Sequence, residues 1–336
     1  MAVTPQTNVD LATMARRMRE IDSFALCGHV NPDGDCLGAQ LALAGALRAL
    51  GKDVVCLLAR DDALDAGMRT LPGSEGLICA KEYAGSPQAF VACDVPTPER
   101  LGDAAAVQAR CEETFTIDHH AVETCMSRHN YVDPDAAATS LIVWQLVKEL
   151  GVEPSAETAQ CAYAGLMTDT GGFRYQNTDA ACFAAAAEMT AAGARPAQTA
   201  TAFFQNRSLA SVRLMDRMLD HAEVDLAAGY ALSWVTLRDF EECGAVRADA
   251  EPLIDTLRCI AGVRVAAVLR ENAGKEVRGS LRAKDGTDVA RIARGFGGGG
   301  HKAAAGFTCE GGLDEAVAAV RDTIRTALSD DGAGGR

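Results

Sequence analysis

The segment Asp118-His119-His120 places two adjacent imidazoles beside a carboxylate, at the end of an apolar stretch that begins at Thr114. Packing alone does not explain such a group at the tip of a buried strand. Imidazole nitrogens and carboxylate oxygens together are typical donors for divalent transition ions. The segment therefore predicts a metal-dependent hydrolase. In it, Asp118 orients an imidazole, and His120 contacts a phosphate or protonates a leaving oxygen.

Three further acidic segments supply partners for these histidines. They are His29-Val-Asn-Pro-Asp33-Gly-Asp35, Asp94 after an apolar run, and Met167-Thr-Asp169. The predicted metal ligands are His29, Asp33, Asp35, Asp94, His119 and Asp169. Four carboxylates are too many for one ion and suit two, and the mixed donors favour Mn²⁺ over Zn²⁺ or Mg²⁺. Two such ions clamp a phosphate and activate a water for in-line attack.

Short apolar strands alternate with amphipathic helices between residues 22 and 190. The pattern predicts strands at 23–28, 53–58, 89–93 and 114–117, and helices at 37–50, within 133–150 and at 156–167. This alternation is typical of an α/β fold with a mostly parallel sheet flanked by helices. Because ligands bind at the carboxyl ends of such strands, we expect the motifs to converge at one edge. His29 and Asp33 to Asp35 are expected on a turn after the first strand.

The chain is long enough for two domains. We expect a metal-binding catalytic domain over 1–190, a helical connector over 191–222, a smaller α/β substrate-binding domain over 223–330 and a disordered tail over 331–336. The second domain is predicted to contain strands at 230–235, 263–270 and 276–282, and helices at 251–260 and 288–296.

The second domain contains its own candidate site. Four consecutive glycines precede a histidine at 297–301, and the backbone amides of such a loop can cradle an anion. Gly298, Gly299, Gly300 and His301 are therefore predicted to bind substrate. Arg282, at the end of a predicted strand, is a candidate to hold a phosphate through its guanidinium fork.

Composition limits the partners. The net charge of −14 argues against binding of long nucleic acid. Residues 245–310 are nevertheless locally basic, with 11 Lys and Arg against 8 Asp and Glu. This distribution suits a small anionic substrate. Twelve cysteines without a C-x-x-C pair indicate reduced core residues in a cytoplasmic protein. No stretch reaches the roughly 18 apolar residues of a membrane span.

These motifs resemble the DHH phosphoesterase superfamily, in the branch with the DHH-associated C-terminal domain. The chain is most similar to the NrnA-type nanoRNases, and the resemblance covers nearly all of it. It implies that His29, Asp33 and Asp94 hold one ion, and that Asp35, Asp94, His119 and Asp169 hold the other. It also implies that the glycine-histidine segment and Arg282 bind the terminal phosphate of the substrate.

The resemblance alone supplies the substrate. It implies hydrolysis of RNA dinucleotides to pentanucleotides, giving nucleoside 5′-monophosphates, and removal of the 3′-phosphate of pAp. One alternative is a phosphodiesterase for linear or cyclic dinucleotides, and another is a nucleotide-binding regulator without turnover. Manganese pyrophosphatases share the first motifs but not the glycine-histidine segment. The sequence leaves open the preferred substrate length, the cleavage polarity, the metal and whether a homodimer forms.

Overall fold

In the computed structural model, which describes residues 4, 6–121 and 125–333, the chain forms two compact units. The first unit is Met1–Asn206 and the second is Arg207–Arg336. The division falls inside the segment 191–222, where the sequence predicts a helical connector. That segment contains two helices and one turn of π-helix, Thr201–Gln205.

The first unit is built on a six-stranded sheet. Its strands are β1 (Ser23–Cys27), β2 (Asp53–Leu58), β3 (Ile78–Cys79), β4 (Ala89–Cys93), β5 (Glu113–Asp118) and β6 (His129–Val132). Its helices are α1 (Leu11–Arg19), α2 (Gly34–Ala49), α3 (Ala105–Gln108), α4 (Thr139–Glu149), α5 (Ala156–Asp169), α6 (Ala180–Ala191) and α7 (Pro196–Ala200). The strand order is β3-β2-β1-β4-β5-β6, and every pair within it is parallel.

This strand order confirms the predicted α/β fold and contains a topological switch point. The chain leaves β1 toward β2 on one side and returns to β4 on the other, so the order reverses between β1 and β4. In doubly wound sheets, ligands bind outside the carboxyl ends of the strands at such a reversal. The predicted metal ligands after β1, β4 and β5 therefore belong to neighbouring strand ends.

Alternate residues of β1 face opposite sides of the sheet, as the pleat requires. Phe24 and Leu26 pack into the core beneath α2, α4 and α5, whereas Ala25 and Cys27 pack into a smaller cluster on the other face. Both faces are thus apolar and covered, which explains why the strand is a continuous hydrophobic run.

Helices α2 and α5 pack closely because glycines line their contact. A Cβ atom on Gly38 would lie 2.6 Å from the carbonyl oxygen of Cys161, so a larger residue would force the helices apart. The contact brings Asp35, in the first turn of α2, toward Asp169, the last residue of α5. Two predicted ligands that are far apart in sequence are positioned by one helix pair.

Helix α2 begins at Gly34, three residues before the predicted start at Leu37. The side chain of Asp33 caps it, because Oδ1 accepts hydrogen bonds from the amides of Asp35 (3.0 Å) and Cys36 (2.9 Å). The prediction of a turn that extends to Asp35 is therefore wrong for its last two residues, because Gly34 and Asp35 belong to α2. Asp35 is already helical, and this fixes the direction of its side chain.

The second unit contains a six-stranded mixed sheet, as predicted for a smaller α/β domain. Its strands are β7 (Glu223–Asp225), β8 (Tyr230–Val235), β9 (Val265–Glu271), β10 (Glu276–Ala283), β11 (Gly299–His301) and β12 (Ala304–Glu310). Its helices are α8 (Leu209–Asp220), α9 (Leu237–Cys243), α10 (Leu253–Arg258), α11 (Val289–Arg294) and α12 (Leu313–Ala333). The order is β11-β12-β10-β9-β8-β7, and only β8 and β9 pair in parallel among these strands.

Two segments of this unit differ from expectation. The predicted glycine loop instead forms β11, which pairs with β12 through Gly299 opposite Gly306. Gly300 has a φ of 138°, and a Cβ there would lie 2.6 Å from the carbonyl oxygen of Ala304. Pairing with β12 therefore requires a glycine at position 300. Helix α12 continues to Ala333 and overlaps the predicted tail, whose residues 334–336 lie outside the described part.

Two general expectations can be compared directly with the structure. All twelve cysteines are free thiols, and seven of them are buried. The expectation that they lie in the core is wrong for Cys125 and Cys259, which are exposed, and for Cys79, Cys111 and Cys309, which are partly exposed. Among the described residues, no helix combines the length and apolarity needed to cross a membrane.

Candidate metal centre

His29 follows β1 and is buried, with its imidazole directed at two carboxylates. Nε2 lies 3.7 Å from Oδ2 of Asp33 and 3.5 Å from Oδ2 of Asp94. Nδ1 lies 2.9 Å from the carbonyl oxygen of Val30. Nε2 is thus the nitrogen turned toward the acids, as is common for a metal-binding imidazole whose other nitrogen has a protein partner.

His119 follows β5 and occupies an equivalent position among three other carboxylate oxygens. Its Nε2 lies 3.4 Å from Oδ2 of Asp169, 3.6 Å from Oδ1 of Asp94 and 4.0 Å from Oδ2 of Asp35. Its Nδ1 lies 3.2 Å from the carbonyl oxygen of Ala136, which orients the ring. Carboxylates from three separate segments therefore converge on one imidazole nitrogen.

Asp94 lies between the two histidines. Its Oδ2 faces His29 and its Oδ1 faces His119, and its side chain is only 2% exposed. Its φ of 61° is left-handed, a conformation that Asp adopts more readily than most residues and that is often found at functional sites. Burial would raise the pKa of this carboxyl, but hydrogen bonding to His29 and the charges of His120, His119 and His29 hold the pKa well below its usual range.

Asp35 is held by the amino terminus of α4. Its Oδ2 accepts a hydrogen bond from the amide of Thr139 (2.7 Å), and its Oδ1 accepts one from the amide of Ser140 (2.9 Å) and another from the Ser140 hydroxyl. Helix amino termini favour anions in this way. Burial and the nearby charge of Asp94 nevertheless raise the pKa of Asp35 to about 7. The carboxylates of the site thus carry more negative charge than the neighbouring groups of the chain neutralise.

Asp118 orients His120 rather than the neighbouring His119. Its Oδ1 lies 2.7 Å from Nδ1 of His120 and accepts hydrogen bonds from the amides of His119 (2.8 Å) and His120 (3.2 Å). Burial would lower the pKa of His120, but the hydrogen bond to Asp118 and the charges of Asp94 and Asp118 raise it. The arrangement favours a protonated imidazole at the edge of the centre.

The donor set has the chemistry of a divalent-cation site. The nitrogen–oxygen distances of 3.4 to 4.0 Å exceed normal hydrogen bonds but suit ligands that share an ion. Within the described ranges, three groups have all their ligand atoms within 4.8 Å of one another: Asp35 with His119 and Asp169, His29 with Cys36 and Asp94, and Asp94 with His119 and His120. All six predicted ligands meet here, and the residues present fit divalent ions.

Four residues at this centre are not among those predicted from the sequence. The sequence indicates Thr139 or Ser140 as the cap of the helix within 133–150, but the cap position is Ala138. The Thr139 hydroxyl instead donates to Oδ1 of Asp94 at 2.8 Å. Arg100 places Nη2 3.0 Å from Nδ1 of His29. Cys36 lies beside His29 and Asp94. Only Cys36, directly after Asp35, has a sequence position that points to the site.

The predicted substrate-binding residues lie in the second unit. Arg282 is on β10, opposite Ala266 of β9 and Ala304 of β12, and its Nη1 donates to the carbonyl oxygen of Leu281 at 3.1 Å. Gly298 precedes β11, and Gly299 and Gly300 belong to it. The backbone of His301 pairs with Ala304, whereas its side chain lies outside the described part.

The fold and the site define a doubly wound α/β protein with a cluster of carboxylates and histidines, suited to divalent ions, at the reversal of its strand order. Residues 23–166 match the family described as "DHH family, N-terminal domain", and residues 238–329 match the "DHHA1 domain". The chain is 34% identical over 303 residues to the bifunctional oligoribonuclease and PAP phosphatase NrnA of Thermus thermophilus, covering 90% of this chain and 89% of that protein.

Other relatives agree with this match. The NrnA protein of Bacillus subtilis is 26% identical over 299 residues, covering 87% of this chain and 91% of that protein. An exopolyphosphatase-related protein from Bacteroides fragilis has the same fold, with a TM-score of 0.88 at 24% identity and coverage of 95% and 96% of the two chains. This chain belongs to the DHH family, with a DHHA1 domain at its carboxyl-terminal end.

Proposed function

We propose that this protein is a two-metal phosphoesterase that hydrolyses very short oligoribonucleotides to nucleoside 5′-monophosphates and also removes the 3′-phosphate of pAp. The observation that carries the proposal is the position of Asp94, whose two carboxylate oxygens face His29 and His119 on opposite sides. A carboxylate so placed suits a bridge between two ions. The named activities of the Thermus thermophilus and Bacillus subtilis relatives supply the substrate class.

The ligands divide into two sets that share Asp94. His29 and Asp33 would hold the first ion with Asp94, and Asp35, His119 and Asp169 would hold the second with it. We infer Mn²⁺ because mixed imidazole and carboxylate donors suit a borderline-hard ion. When bound, such ions supply Lewis acidity that activates water and neutralises charge on a phosphate.

The remaining residues of the centre act on protons and position. His120, whose imidazole is oriented by a 2.7 Å contact of Nδ1 with Oδ1 of Asp118, is suited to donate a proton to the leaving oxygen as the phosphoester bond breaks. Thr139 and Ser140 hold Asp94 and Asp35 in place through hydrogen bonds. Buried ligands with fixed orientation reduce the rearrangement needed at each turnover.

Charge supports a short substrate. A protein with a net charge of −14 repels a long polyanion, but Arg282 can still hold a single terminal phosphate by its guanidinium group. Long duplexes are therefore excluded from the proposal. We place the protein in the cytoplasm because twelve free thiols suit a reducing compartment.

The test is Mn²⁺-dependent hydrolysis of five substrates side by side: pApA, a 5-mer RNA, pAp, cyclic di-AMP and pyrophosphate. We expect mononucleotide release from pApA and the 5-mer, lost in Asp94→Asn. Turnover of cyclic di-AMP or pyrophosphate alone would support the proposed metal centre but contradict the proposed substrate class. Binding of nucleotides without turnover of any of them would instead identify a regulator.

A further inference from the structure

The outward face of β10 carries two arginines four residues apart. Val277 and Leu281 point into the core of the second unit, so Arg278, Ser280 and Arg282 point to its opposite face. Arg278 is exposed, and Ser280 and Arg282 are partly exposed. Over the described ranges, neither arginine forms an ion pair. We call Arg278, Ser280 and Arg282 the β10 track.

A third guanidinium lies beside the track. Arg270 of β9 pairs directly opposite Arg278, and like charges in that position repel each other. Arg270 is 5% exposed, and its Nη1 contacts Glu251 at 2.5 Å while its Nη2 donates to Ser280 at 2.9 Å. Its Nε is buried without a hydrogen-bond partner in the described part of the chain. The face thus carries more positive charge than its own carboxylate neutralises.

The neighbouring strand leaves this face open to a ligand. Opposite Arg278, Ser280 and Arg282 on β12 are Thr308, Gly306 and Ala304, three small residues that are exposed or partly exposed. Beyond Arg278 the charge changes sign, because Glu276 lies directly opposite Glu310. A row of arginines beside small residues, ended by two carboxylates, suits a polyanion of limited length.

We propose that the β10 track binds the phosphodiester backbone of an oligoribonucleotide, with Arg278 contacting a phosphate beyond the terminal one held at Arg282. Four residues of strand separate the two arginines by about 13 Å, so they reach phosphates of different nucleotides. Ser280 supplies a hydroxyl donor between them, and the Glu276–Glu310 pair repels any phosphate farther along. This inference rests on the proposed function and adds a determinant of substrate length to it.

Isothermal titration with unlabelled 5-mer RNA and with pApA tests the inference, using the full chain with Ca²⁺ in place of Mn²⁺ so that no turnover occurs. We expect Arg278→Gln to weaken binding of the 5-mer about tenfold, the effect of losing one charge-assisted hydrogen bond. Binding of pApA should change less than twofold. The salt dependence of 5-mer binding should fall by about 0.7 in its logarithmic slope.

Three further variants separate this effect from general loss of charge or fold. Arg278→Lys should retain most of the 5-mer affinity. Arg247→Gln removes an exposed arginine elsewhere in the same unit and should leave the ratio of 5-mer to pApA affinity unchanged. Glu310→Gln should tighten 5-mer binding about twofold, because it removes a like charge near the phosphates.

If Arg278→Gln weakens binding of both ligands equally, or does not weaken binding of the 5-mer, the proposed role of the β10 track is wrong. Failure of the proposed function is distinguishable, because it would be seen as absent hydrolysis of pApA and the 5-mer by the Mn²⁺-loaded wild type. The binding comparison does not depend on that turnover, so each idea has its own failing result.

Discussion

The hydroxyl of Thr139 donates a 2.8 Å hydrogen bond to Oδ1 of Asp94, the carboxylate that lies between His29 and His119. The amide of the same residue donates to Asp35 at 2.7 Å. One residue at the amino terminus of α4 therefore orients two acids that come from different parts of the chain. Groups that orient metal ligands in this way commonly affect metal affinity as much as weak ligands do.

Replacing Thr139 by valine tests this relationship. Thr139→Val keeps the shape of the side chain and removes the hydroxyl donor, so Asp94 loses part of its orientation. We expect Mn²⁺ affinity to fall about tenfold, within the range known for residues that hold metal ligands. Thr139→Ser keeps the donor and serves as the control. Calorimetric titration that finds equal affinities for all three proteins would contradict the role.

Close packing of α2 against α5 predicts a sensitive glycine. Gly38→Ala places a methyl group 2.6 Å from the carbonyl oxygen of Cys161 and forces the helices apart. We expect a loss of about 1–3 kcal/mol in the free energy of unfolding, with weaker Mn²⁺ binding because Asp35 and Asp169 separate. Gly76→Ala is the matched control, since a Cβ there meets no atom within 4 Å. Unchanged unfolding and metal binding in Gly38→Ala would refute this explanation.

Metal binding should release protons near neutral pH. In the metal-free protein, burial would lower the pKa of His29, but hydrogen bonds and charges from Asp33 and Asp94 raise it to about 10. Burial and Asp94 raise the pKa of Asp35 to about 7. Both groups must be deprotonated to bind an ion. Apparent Mn²⁺ affinity should therefore increase with pH from 6 toward 10.

Titration of Mn²⁺ at pH 7 in buffers of different ionisation enthalpy measures these protons directly. We expect more than one proton released per chain, with His29 and Asp35 among the sources, and a smaller release in His29→Ala. A heat of binding that does not depend on the buffer would show that the imidazole and carboxyl are already deprotonated, contrary to the electrostatics of the centre.

The role of His120 can be separated from metal binding. His120→Gln should lower kcat for pApA about 100-fold, a typical effect of losing a general acid, while leaving Mn²⁺ affinity nearly unchanged. With a p-nitrophenyl nucleotide ester the loss should nearly vanish, because that leaving group needs no proton. An equal loss on both substrates would indicate that His120 contributes through binding rather than proton donation.

Asp118→Asn tests the other half of this pair. The substitution removes a charge and a hydrogen bond that raise the pKa of His120, so the imidazole should lose its proton at lower pH. The basic limb of the kcat profile should then shift toward acid pH, with the acidic limb unchanged. A uniform loss of activity without a shift would assign Asp118 a purely structural role.

Much of the first unit follows from local sequence patterns. Apolar runs predict β1, β2, β4 and β5 to within about a residue, because most residues of these strands are buried. Polar residues directly after such strands must meet at one edge of a parallel sheet. The grouping of His29, Asp94 and His119 is therefore predictable from the sequence alone.

Other parts of the centre depend on contacts that no local pattern contains. The partner of Thr139 in one hydrogen bond is Asp35, 104 residues away, so its hydroxyl and amide read only as a helix start. Arg100 lies in a 3-10 turn, and its carbonyl oxygen accepts a hydrogen bond from the amide of Val30. This contact joins segments that are distant in sequence, so no local pattern predicts it. The short strand β11 consists of glycines and one histidine, and therefore lacks the apolar alternation by which strands are predicted.

The most direct test of the central claim is a titration of metal-free protein with Mn²⁺, in which bound ions are counted by electron paramagnetic resonance while AMP release from pApA is measured. The proposed function predicts two ions per chain, spin-coupled through a shared ligand, with activity that follows the second equivalent. Asp94→Asn should lose both the coupling and the activity. Full activity with a single bound ion, or two uncoupled ions unaffected by Asp94→Asn, would contradict a shared two-metal centre.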